Sequence, residues 1–350
     1  MKDIKIGKKT IGASKPVFVI AELSANHGHS LKTAVKTIKA IKQSGADAVK
    51  IQTYTPDTIT IDSDNKYFRI KQGTVWDGRN LYGLYKEAFT PWEWHKDLKN
   101  AAADEGLVFF SSPFDKTAVD FLEGLDVPAY KIASFEITDI PLIEYAASKH
   151  KPMIISTGIA HLEEIYAAIK ACKKQGNDRV ILLKCTSAYP ASPEEMNLLT
   201  ISDMSKKFKT IIGLSDHTLG STSTIASVAL GAKIIEKHFI LDRSIGGPDA
   251  SFSLEPSEFK RMVESIRETE KTLGAVTYDL SRKSLRSREF CRSLFVVEDI
   301  KKGERFTEKN VRSIRPGFGI LPVNLPKVLG KKAKRDILRG TPLKFSDLEK

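Results

Sequence analysis

Short apolar runs rich in β-branched residues alternate with amphipathic stretches from residue 17 to residue 272. The apolar runs predict eight strands, at residues 17–21, 48–52, 108–112, 129–132, 153–156, 180–184, 210–214 and 233–238. The amphipathic stretches predict eight helices, at residues 31–44, 91–105, 116–123, 140–149, 161–175, 197–207, 221–230 and 256–272. Eight strand-helix units in about 260 residues are typical of a TIM barrel, so the predicted fold class is α/β with a (β/α)8 barrel.

The alternation stops after about residue 275, and the remaining chain has a different pattern. Residues 278–288 are polar and basic without apolar periodicity, which is typical of a linker. Beyond them, the pattern Asp299-Ile-Lys-Lys-Gly303 returns 37 residues later as Asp336-Ile-Leu-Arg-Gly340. We therefore expect a catalytic barrel at 1–275, a linker at 276–290 and a small pseudo-symmetric β domain at 291–350.

Composition and charge exclude several classes of protein. The apolar fraction of 41% is ordinary for a globular chain, and no signal peptide or apolar run of membrane-spanning length is present. We expect a soluble cytoplasmic protein with no membrane partner. The three cysteines are widely spaced, which indicates neither a disulfide framework nor a zinc knuckle. The net charge of +12 is spread along helices instead of forming a basic stripe, so no nucleic-acid partner is expected.

Polar residues stand at the end of every predicted strand. They are Glu22, Lys50, Gln52, Ser111, Ser112, Lys131, Ser134, Glu136, Ser156, Thr157, Lys184, Thr186, Ser215, His217, Glu236 and His238. TIM barrels place their active sites at the carboxyl ends of the strands, so we expect these side chains to converge. Lysines and hydroxyl groups close to Gly158 offer the charges and donors that a phosphate needs, which predicts a phosphorylated substrate.

His217 and His238 follow neighbouring predicted strands and lie 21 residues apart. In a parallel βαβ unit the carboxyl ends of both strands lie side by side, so the two imidazoles are expected to meet. Neutral imidazoles beside acidic residues are good ligands for a divalent metal. The pair alone is equally compatible with two histidines that hydrogen-bond in the rim.

Two further segments stand out. The segment between Tyr54 and Thr90 is too long for a plain turn and holds six aromatic side chains. It predicts a lid or a substrate wall, or a hydrophobic cluster that packs the loop down. In the terminal domain, the Gly- and Pro-rich stretch Ile314-Arg315-Pro-Gly317-Phe-Gly319 predicts an exposed loop. Arg315 is well placed there to reach an anion or a sugar hydroxyl.

Several motifs resemble the sialic acid synthase family. They are Ile20-Ala-Glu-Leu-Ser-Ala-Asn-His27, Lys50-Ile-Gln-Thr, Tyr130-Lys-Ile-Ala-Ser, Ser156-Thr-Gly, Gly213-Leu-Ser-Asp-His and Ile235-Glu-Lys-His-Phe. The resemblance covers nearly the whole chain and includes a terminal antifreeze-like (SAF, β-clip) domain. Glu22-Leu-Ser-Ala-Asn-His, Gln52-Thr-Tyr-Thr-Pro-Asp and Thr90-Pro-Trp-Glu-Trp-His are most similar to the pseudaminic acid branch of the family.

The resemblance implies a metal-dependent transferase that condenses phosphoenolpyruvate with an acetamido sugar and releases phosphate. For the pseudaminic branch the sugar is 2,4-diacetamido-2,4,6-trideoxy-L-altrose, and the cofactor is Mn²⁺ or Mg²⁺. The implied metal ligands are His217 and His238. The implied phosphoenolpyruvate ligands are Lys50, Ser112, Lys131, Ser134, Ser156, Ser187 and Ser215. The implied sugar ligands are Glu22, Gln52, Glu136, Tyr189 and Asp249, with Arg315 arriving from the other subunit of a domain-swapped homodimer.

The chemistry requires a Lewis acid for the sugar aldehyde and a carboxylate, Glu22 or Glu136, for the water that attacks C2. Alternative hypotheses for the substrate, the mechanism and the function stay open. The sugar could be that of an N-acetylneuraminate or a legionaminate synthase. One of Lys50, Lys131 and Lys184 could form a Schiff base, as in metal-free aldolases. A non-catalytic carbohydrate or ice binder is the remaining alternative, although such a binder has no need of the converging barrel residues.

Overall fold

A computed structural model describes residues 2–349 of the chain. The chain divides into two compact units, with the boundary between Gly274 and Ala275. None of the helices within residues 2–349 is both long and apolar enough to cross a membrane.

The first unit is built around a closed barrel of parallel strands. An amino-terminal hairpin, β1 (Ile4–Ile6) and β2 (Lys9–Ile11), precedes it. The barrel strands are β3 (Phe18–Glu22), β4 (Ala48–Thr53), β5 (Val108–Pro113), β6 (Tyr130–Ile132), β7 (Met153–Ser156), β8 (Val180–Cys185), β9 (Ile211–Asp216) and β10 (Ile234–His238). They pair in chain order, and β10 closes the barrel against β3. The predicted TIM barrel is confirmed.

Helices follow the strands of the barrel along the chain. They are α1 (Leu31–Gln43), α2 (Pro56–Ile59), α3 (Leu81–Ala88), α4 (His95–Asp104), α5 (Lys116–Gly124), α6 (Ile140–Ala147), α7 (Leu162–Lys174), α8 (Thr200–Phe208), α9 (Thr222–Ala229) and α10 (Pro256–Leu273). Helix α1 shows why they form: the Ser30 side chain caps its first turn, and Ala34, Ile38 and Ile41 are buried at helical spacing.

Four elements of the first unit, β1, β2, α2 and α3, were not predicted from the sequence. The hairpin strands β1 and β2 have only three residues each, which is too short for a periodic signal, yet Ile4, Ile6 and Ile11 belong to the barrel's core. Helices α2 and α3 lie within the segment that was predicted as one long loop, and α3 is the longer of the two. The Asn80 side chain caps this helix by accepting from the backbone N–H groups of Tyr82 and Gly83.

The strand register aligns the polar strand ends in rows. Glu22 pairs with His238 of β10 on one side and with Lys50 of β4 on the other. Gln52 of β4 pairs with Ser112 of β5. Because side chains alternate along a strand, Glu236 and His238 share one face of β10, and Lys237 points to the other. There Lys237 Nζ lies 2.8 Å from Asp216 Oδ2 in a fully buried ion pair, which ties the residues next to His238 and His217 together.

The second unit shows the internal repeat as reciprocal hydrogen bonds. Ile300 and Ile337 exchange both backbone bonds, at 2.9 and 2.8 Å. Asp299 accepts from the backbone N–H of Arg339, and the equivalent Asp336 accepts from that of Lys302. The two halves therefore complete each other, as the predicted pseudo-symmetry requires.

The regular elements of this unit are short. The strands β11 (Ser293–Val296) and β12 (Val311–Ile314) pair antiparallel, and α12 spans Leu325–Val328. Within the segment predicted as a linker, every residue is exposed, and a short helix, α11 (Arg282–Ser287), is present. The assignment of 276–290 as a linker stays a prediction.

Candidate active site

A buried network of two lysines and two carboxylates lies at the carboxyl ends of the barrel strands. Lys50 Nζ lies 2.6 Å from Glu22 Oε2 and 3.7 Å from Glu236 Oε1. Lys131 Nζ approaches the same Glu236 oxygen at 3.5 Å. All four side chains are at least nine-tenths buried. The network therefore holds two ammonium groups in fixed positions around one carboxylate.

The charges of this network shift one another's pKa values. Burial acts to raise the pKa of Glu236, but the ammonium groups of Lys131 and Lys50 outweigh it and hold that pKa below its usual value. Burial, together with repulsion from Lys50, lowers the pKa of Lys131 despite the opposing charge of Glu236. Nearby carboxylates neutralise the charge of Lys131 less fully than that of Lys50. An incoming anion would therefore be stabilised most by Lys131.

Small side chains surround Gly158 and form a cradle. Ser134 Oγ accepts a hydrogen bond from the backbone N–H of Ile159, and the Ser156 hydroxyl is buried without a partner. A Cβ added at Gly158 would lie 2.3 Å from Ser187 Oγ and 2.7 Å from Ser134 Oγ. Glycine is thus required at this position, and the hydroxyl groups around it can donate to a phosphate.

Two other hydroxyl groups of the predicted site bond to the charged network. Ser112 Oγ accepts from Lys50 Nζ at 3.2 Å, and Ser215 Oγ donates to Glu236 Oε1 at 3.1 Å. Both serines are buried, so they extend the polar network within the barrel's mouth.

The two predicted metal ligands meet as their positions in the sequence indicated. The ring centroids of His217 and His238 are 5.3 Å apart. His217 Nδ1 lies 3.1 Å from the backbone carbonyl oxygen of Thr186, which favours a proton on Nδ1 and leaves a lone pair on Nε2. His238 Nδ1 is buried without a hydrogen bond, 3.6 Å from Asp249 Oδ2. Burial is the main cause that holds the pKa of His238 well below its usual value, so this ring is neutral.

These histidines fit a metal ion in part. A neutral imidazole with an unsatisfied buried nitrogen and a second imidazole oriented by a carbonyl are suitable donors. Within residues 2–349, however, no group of three or more His, Cys, Asp or Glu side chains is arranged to hold a metal. An ion bound by His217 and His238 would therefore take its other ligands from water or substrate, as catalytic metal sites do.

A cavity of about 960 Å³ opens beside the histidines. Its polar lining includes Gln52, Ser134, Glu136, Ser187, Tyr189, His238 and Asp249. Cavities of roughly 300–1,000 Å³ hold small-molecule ligands, so this one has room for two small substrates. Glu136 Oε2 is buried there without a partner, and burial raises the pKa of Glu136 to about 7 against the opposing charge of Lys131.

The segment 54–90 forms one wall of the cavity. Tyr54, Ile70, Trp76, Leu84 and Tyr85 line it. Trp76 Nε1 donates to the backbone carbonyl of Pro248 at 2.9 Å, and its ring lies 5.2 Å from that of Tyr189. The aromatic rings also pack on one another, as Tyr54 does on Tyr85. The segment is thus both a cavity wall and a hydrophobic cluster.

Arg315 belongs to the second unit, where its side chain is exposed. It stands in the expected loop, and Gly317 N–H donates to the backbone carbonyl of Glu289 at 2.9 Å within the same unit. The role of Arg315 at the sugar stays a prediction.

The structure gives Glu236, which was predicted only as one of the converging strand-end residues, a definite place in the site, and it adds Ser24. Glu236 lies between the two lysines; the alternation of β10 places it on the face of His238, which was the available signal. Ser24 lines the cavity and bonds to both Gln52 and Asp249. Ser24 lies in the motif Glu22-Leu-Ser-Ala-Asn-His, but the sequence did not assign it to the site, because its contacts with Gln52 and Asp249 form only in the folded chain.

Comparison with known families decides the relationship of this chain to other proteins. The sequence pattern of the NeuB family matches residues 37–278, and that of the SAF domain matches residues 292–349. The chain belongs to the NeuB family. This NeuB-family chain therefore combines the barrel of the first unit with a SAF domain in the second, as the resemblance implied.

The relatives of this NeuB-family chain include enzymes for different sugars. It is 51% identical over 333 residues to pseudaminic acid synthase of Campylobacter jejuni strain 81-176, which covers 95% of this chain and 97% of that protein. It is 37% identical to N,N'-diacetyllegionaminic acid synthase of Legionella pneumophila, over 98% of each chain. The solved N-acetylneuraminic acid (sialic acid) synthetase of Leptospira borgpetersenii, in complex with citrate, has a TM-score of 0.74 and 32% identity, covering 83% of this chain and 96% of its own.

Proposed function

We propose that the chain is a pseudaminic acid synthase, which condenses phosphoenolpyruvate with 2,4-diacetamido-2,4,6-trideoxy-L-altrose and releases phosphate. The observation that carries this proposal is the 51% identity to a pseudaminic acid synthase across nearly the whole chain, well above the 37% to a legionaminic acid synthase. The converging lysines, hydroxyls and histidines support the reaction class.

The wall of the cavity supports a deoxy sugar. Ile70, Trp76, Leu84 and Tyr85 present apolar surface, which suits the methyl groups of a 6-deoxy, diacetamido sugar. Gln52, Tyr189 and Asp249 offer polar atoms in the same cavity. We assign these three residues to sugar binding.

Phosphoenolpyruvate would bind on the lysine side of the site. Lys50 and Lys131 provide fixed positive charge, and the hydroxyl groups of Ser112 and Ser215 bond to that network. Further hydroxyl groups, near Gly158, come from Ser134, Ser156 and Ser187. His217 and His238 would hold the metal, which supplies a Lewis acid for the aldehyde of the open-chain sugar when bound. Imidazole donors favour a transition metal such as Mn²⁺ over Mg²⁺, whose preferred ligands are oxygen atoms.

The carboxylates have different tasks. The condensation joins C3 of the enol to the aldehyde carbon, and water must then add at C2 before the C2–O bond to phosphate breaks. Glu136 is suited to take the proton from that water, because its Oε2 has no partner and burial raises its pKa to about 7. Glu22 is held by Lys50 at 2.6 Å, so we assign it to orienting the sugar and Lys50.

The product identifies the reaction. The purified chain with Mn²⁺, phosphoenolpyruvate and a panel of acetamido sugars should yield a nonulosonic acid and phosphate, which mass spectrometry and a phosphate assay detect. The highest kcat/KM is expected with 2,4-diacetamido-2,4,6-trideoxy-L-altrose. A higher value with the precursor of legionaminic or N-acetylneuraminic acid would replace the proposed substrate.

Replacing Lys131 by alanine should raise KM for phosphoenolpyruvate by about 10- to 150-fold, because a charged hydrogen bond contributes about 1.5–3 kcal/mol. KM for the sugar should change little. Steady-state kinetics with each substrate varied in turn would measure both. Lys184→Ala is the matched control, since Lys184 Nζ bonds to Cys185 O and Thr186 Oγ1 instead. A raised KM for the sugar alone would reverse the assignment.

We also infer that the chain acts as a homodimer in which Arg315 serves the site of a second copy. The support is its exposure on a Gly- and Pro-rich loop and the family resemblance. Arg315→Ala should lower kcat/KM by about 5- to 150-fold, equivalent to about 1–3 kcal/mol. Mixing this variant with Glu22→Ala should restore activity, because one heterodimer site would be intact. Confirmed subunit exchange without restored activity would contradict action in trans.

A further inference from the structure

Ser24 adopts a backbone conformation that its side chain disfavours. Its φ of 47° lies in the left-handed region, where a Cβ crowds the following carbonyl oxygen. Five other non-glycine residues within 2–349 share this region, and all of them are exposed: His29, Asp126, His150, Asn197 and Lys209. Ser24 alone among these is buried, with 3% of its surface exposed. Strained residues of this kind collect at functional sites, where contacts hold them in place.

The Ser24 hydroxyl links strand β4 to the loop that carries Asp249. Ser24 Oγ donates to Asp249 Oδ2 at 2.5 Å and accepts from Gln52 Nε2 at 2.9 Å. Gln52 Nε2 also lies 3.3 Å from Glu22 Oε1. Both hydrogens of the Gln52 amide are therefore directed at Glu22 and Ser24, so its Oε1 is the atom left to accept from a ligand. A glycine would relieve the backbone but would remove this link.

We propose that Ser24 is a positioning residue for the sugar. Its hydroxyl fixes the amide of Gln52 and the carboxylate of Asp249 in orientations that present acceptor oxygens to the cavity. Such acceptors recognise N–H and O–H donors, and the acetamido groups of the sugar supply N–H. This inference rests on the proposed function, because it assigns Ser24 to the sugar side of that same site.

Two variants separate the hydroxyl from the backbone strain. Ser24→Gly removes both, and Ser24→Ala removes the hydroxyl but keeps the Cβ. We expect Ser24→Gly to have a higher melting temperature than Ser24→Ala, because both variants lack the hydroxyl and only the glycine relieves the backbone strain. Both variants should raise KM for the sugar at least tenfold while KM for phosphoenolpyruvate stays within twofold. A purely structural role for Ser24 would not separate the two constants in this way.

A double-mutant cycle tests whether Ser24 acts through Asp249. Adding Ser24→Gly to Asp249→Ala should raise KM for the sugar by a smaller factor than Ser24→Gly does in the wild-type chain. The reason is that Asp249, the partner of the hydroxyl, is already gone. A sugar KM within twofold of wild type in Ser24→Gly, or full additivity in the cycle, would overturn the inference while the wild type remains active. A wild type that forms no product with any sugar of the panel would overturn the proposed function, and this inference with it.

Discussion

Replacing His238 by alanine should abolish metal binding and lower turnover by about 10³-fold or more, since a Lewis acid contributes several kcal/mol at the developing charge. The physical reason is that His217 would be left as a single protein donor. Metal content measured by mass spectrometry and Mn²⁺ affinity measured by calorimetry report the loss independently of activity. Wild-type protein treated with a strong chelator should behave in the same way and recover when Mn²⁺ is added.

His161→Ala is the matched control for this experiment. His161 is an exposed histidine immediately before α7, so its loss should leave metal content and turnover unchanged. Full activity in the chelated wild type, with a lysine adduct trapped by borohydride, would contradict the hypothesis of a metal-dependent reaction. It would favour a Schiff-base aldolase. Lys131 would then be the first lysine to examine, because burial lowers its pKa.

Replacing Glu136 by glutamine should lower kcat by about 10²- to 10⁴-fold, the contribution of a positioned general base. A base acts when it is deprotonated, and burial raises the pKa of Glu136 to about 7. For the wild type, kcat/KM should therefore rise with pH, bend near pH 7 and level off above it. The glutamine variant should lose this acidic limb, which a pH series of initial rates would show.

Glu22→Gln distinguishes the two carboxylates. Glu22 lies 2.6 Å from Lys50 Nζ, so its replacement should weaken substrate binding but keep the acidic limb of the pH profile. If instead Glu22→Gln flattens the profile and Glu136→Gln retains it, the roles of the two residues are reversed.

The alternation of apolar runs and amphipathic stretches determined the barrel. Each strand that is covered on both faces must be apolar along its length, and each helix must bury one stripe, so the two patterns appear directly in the sequence. The meeting of His217 and His238 followed from the same rule, because neighbouring parallel strands end at the same side of the barrel. The repeat in the terminal domain was also visible, since its two halves use equivalent residues to bond to each other.

Only the tertiary structure decided which of the two carboxylates, Glu22 or Glu136, is paired with a lysine. Glu22 and Glu136 are the same residue type at two strand ends, and burial raises the pKa of both to about 7; what separates them is the ion pair of Glu22 with Lys50 Nζ at 2.6 Å. Helix α3 and the hairpin of β1 and β2 were also decided by packing, because short elements carry too little periodicity to be predicted. The strain at Ser24 was also decided by the tertiary structure: its dihedral angle and its contacts with Gln52 and Asp249 depend on the folded chain, and local sequence does not encode them.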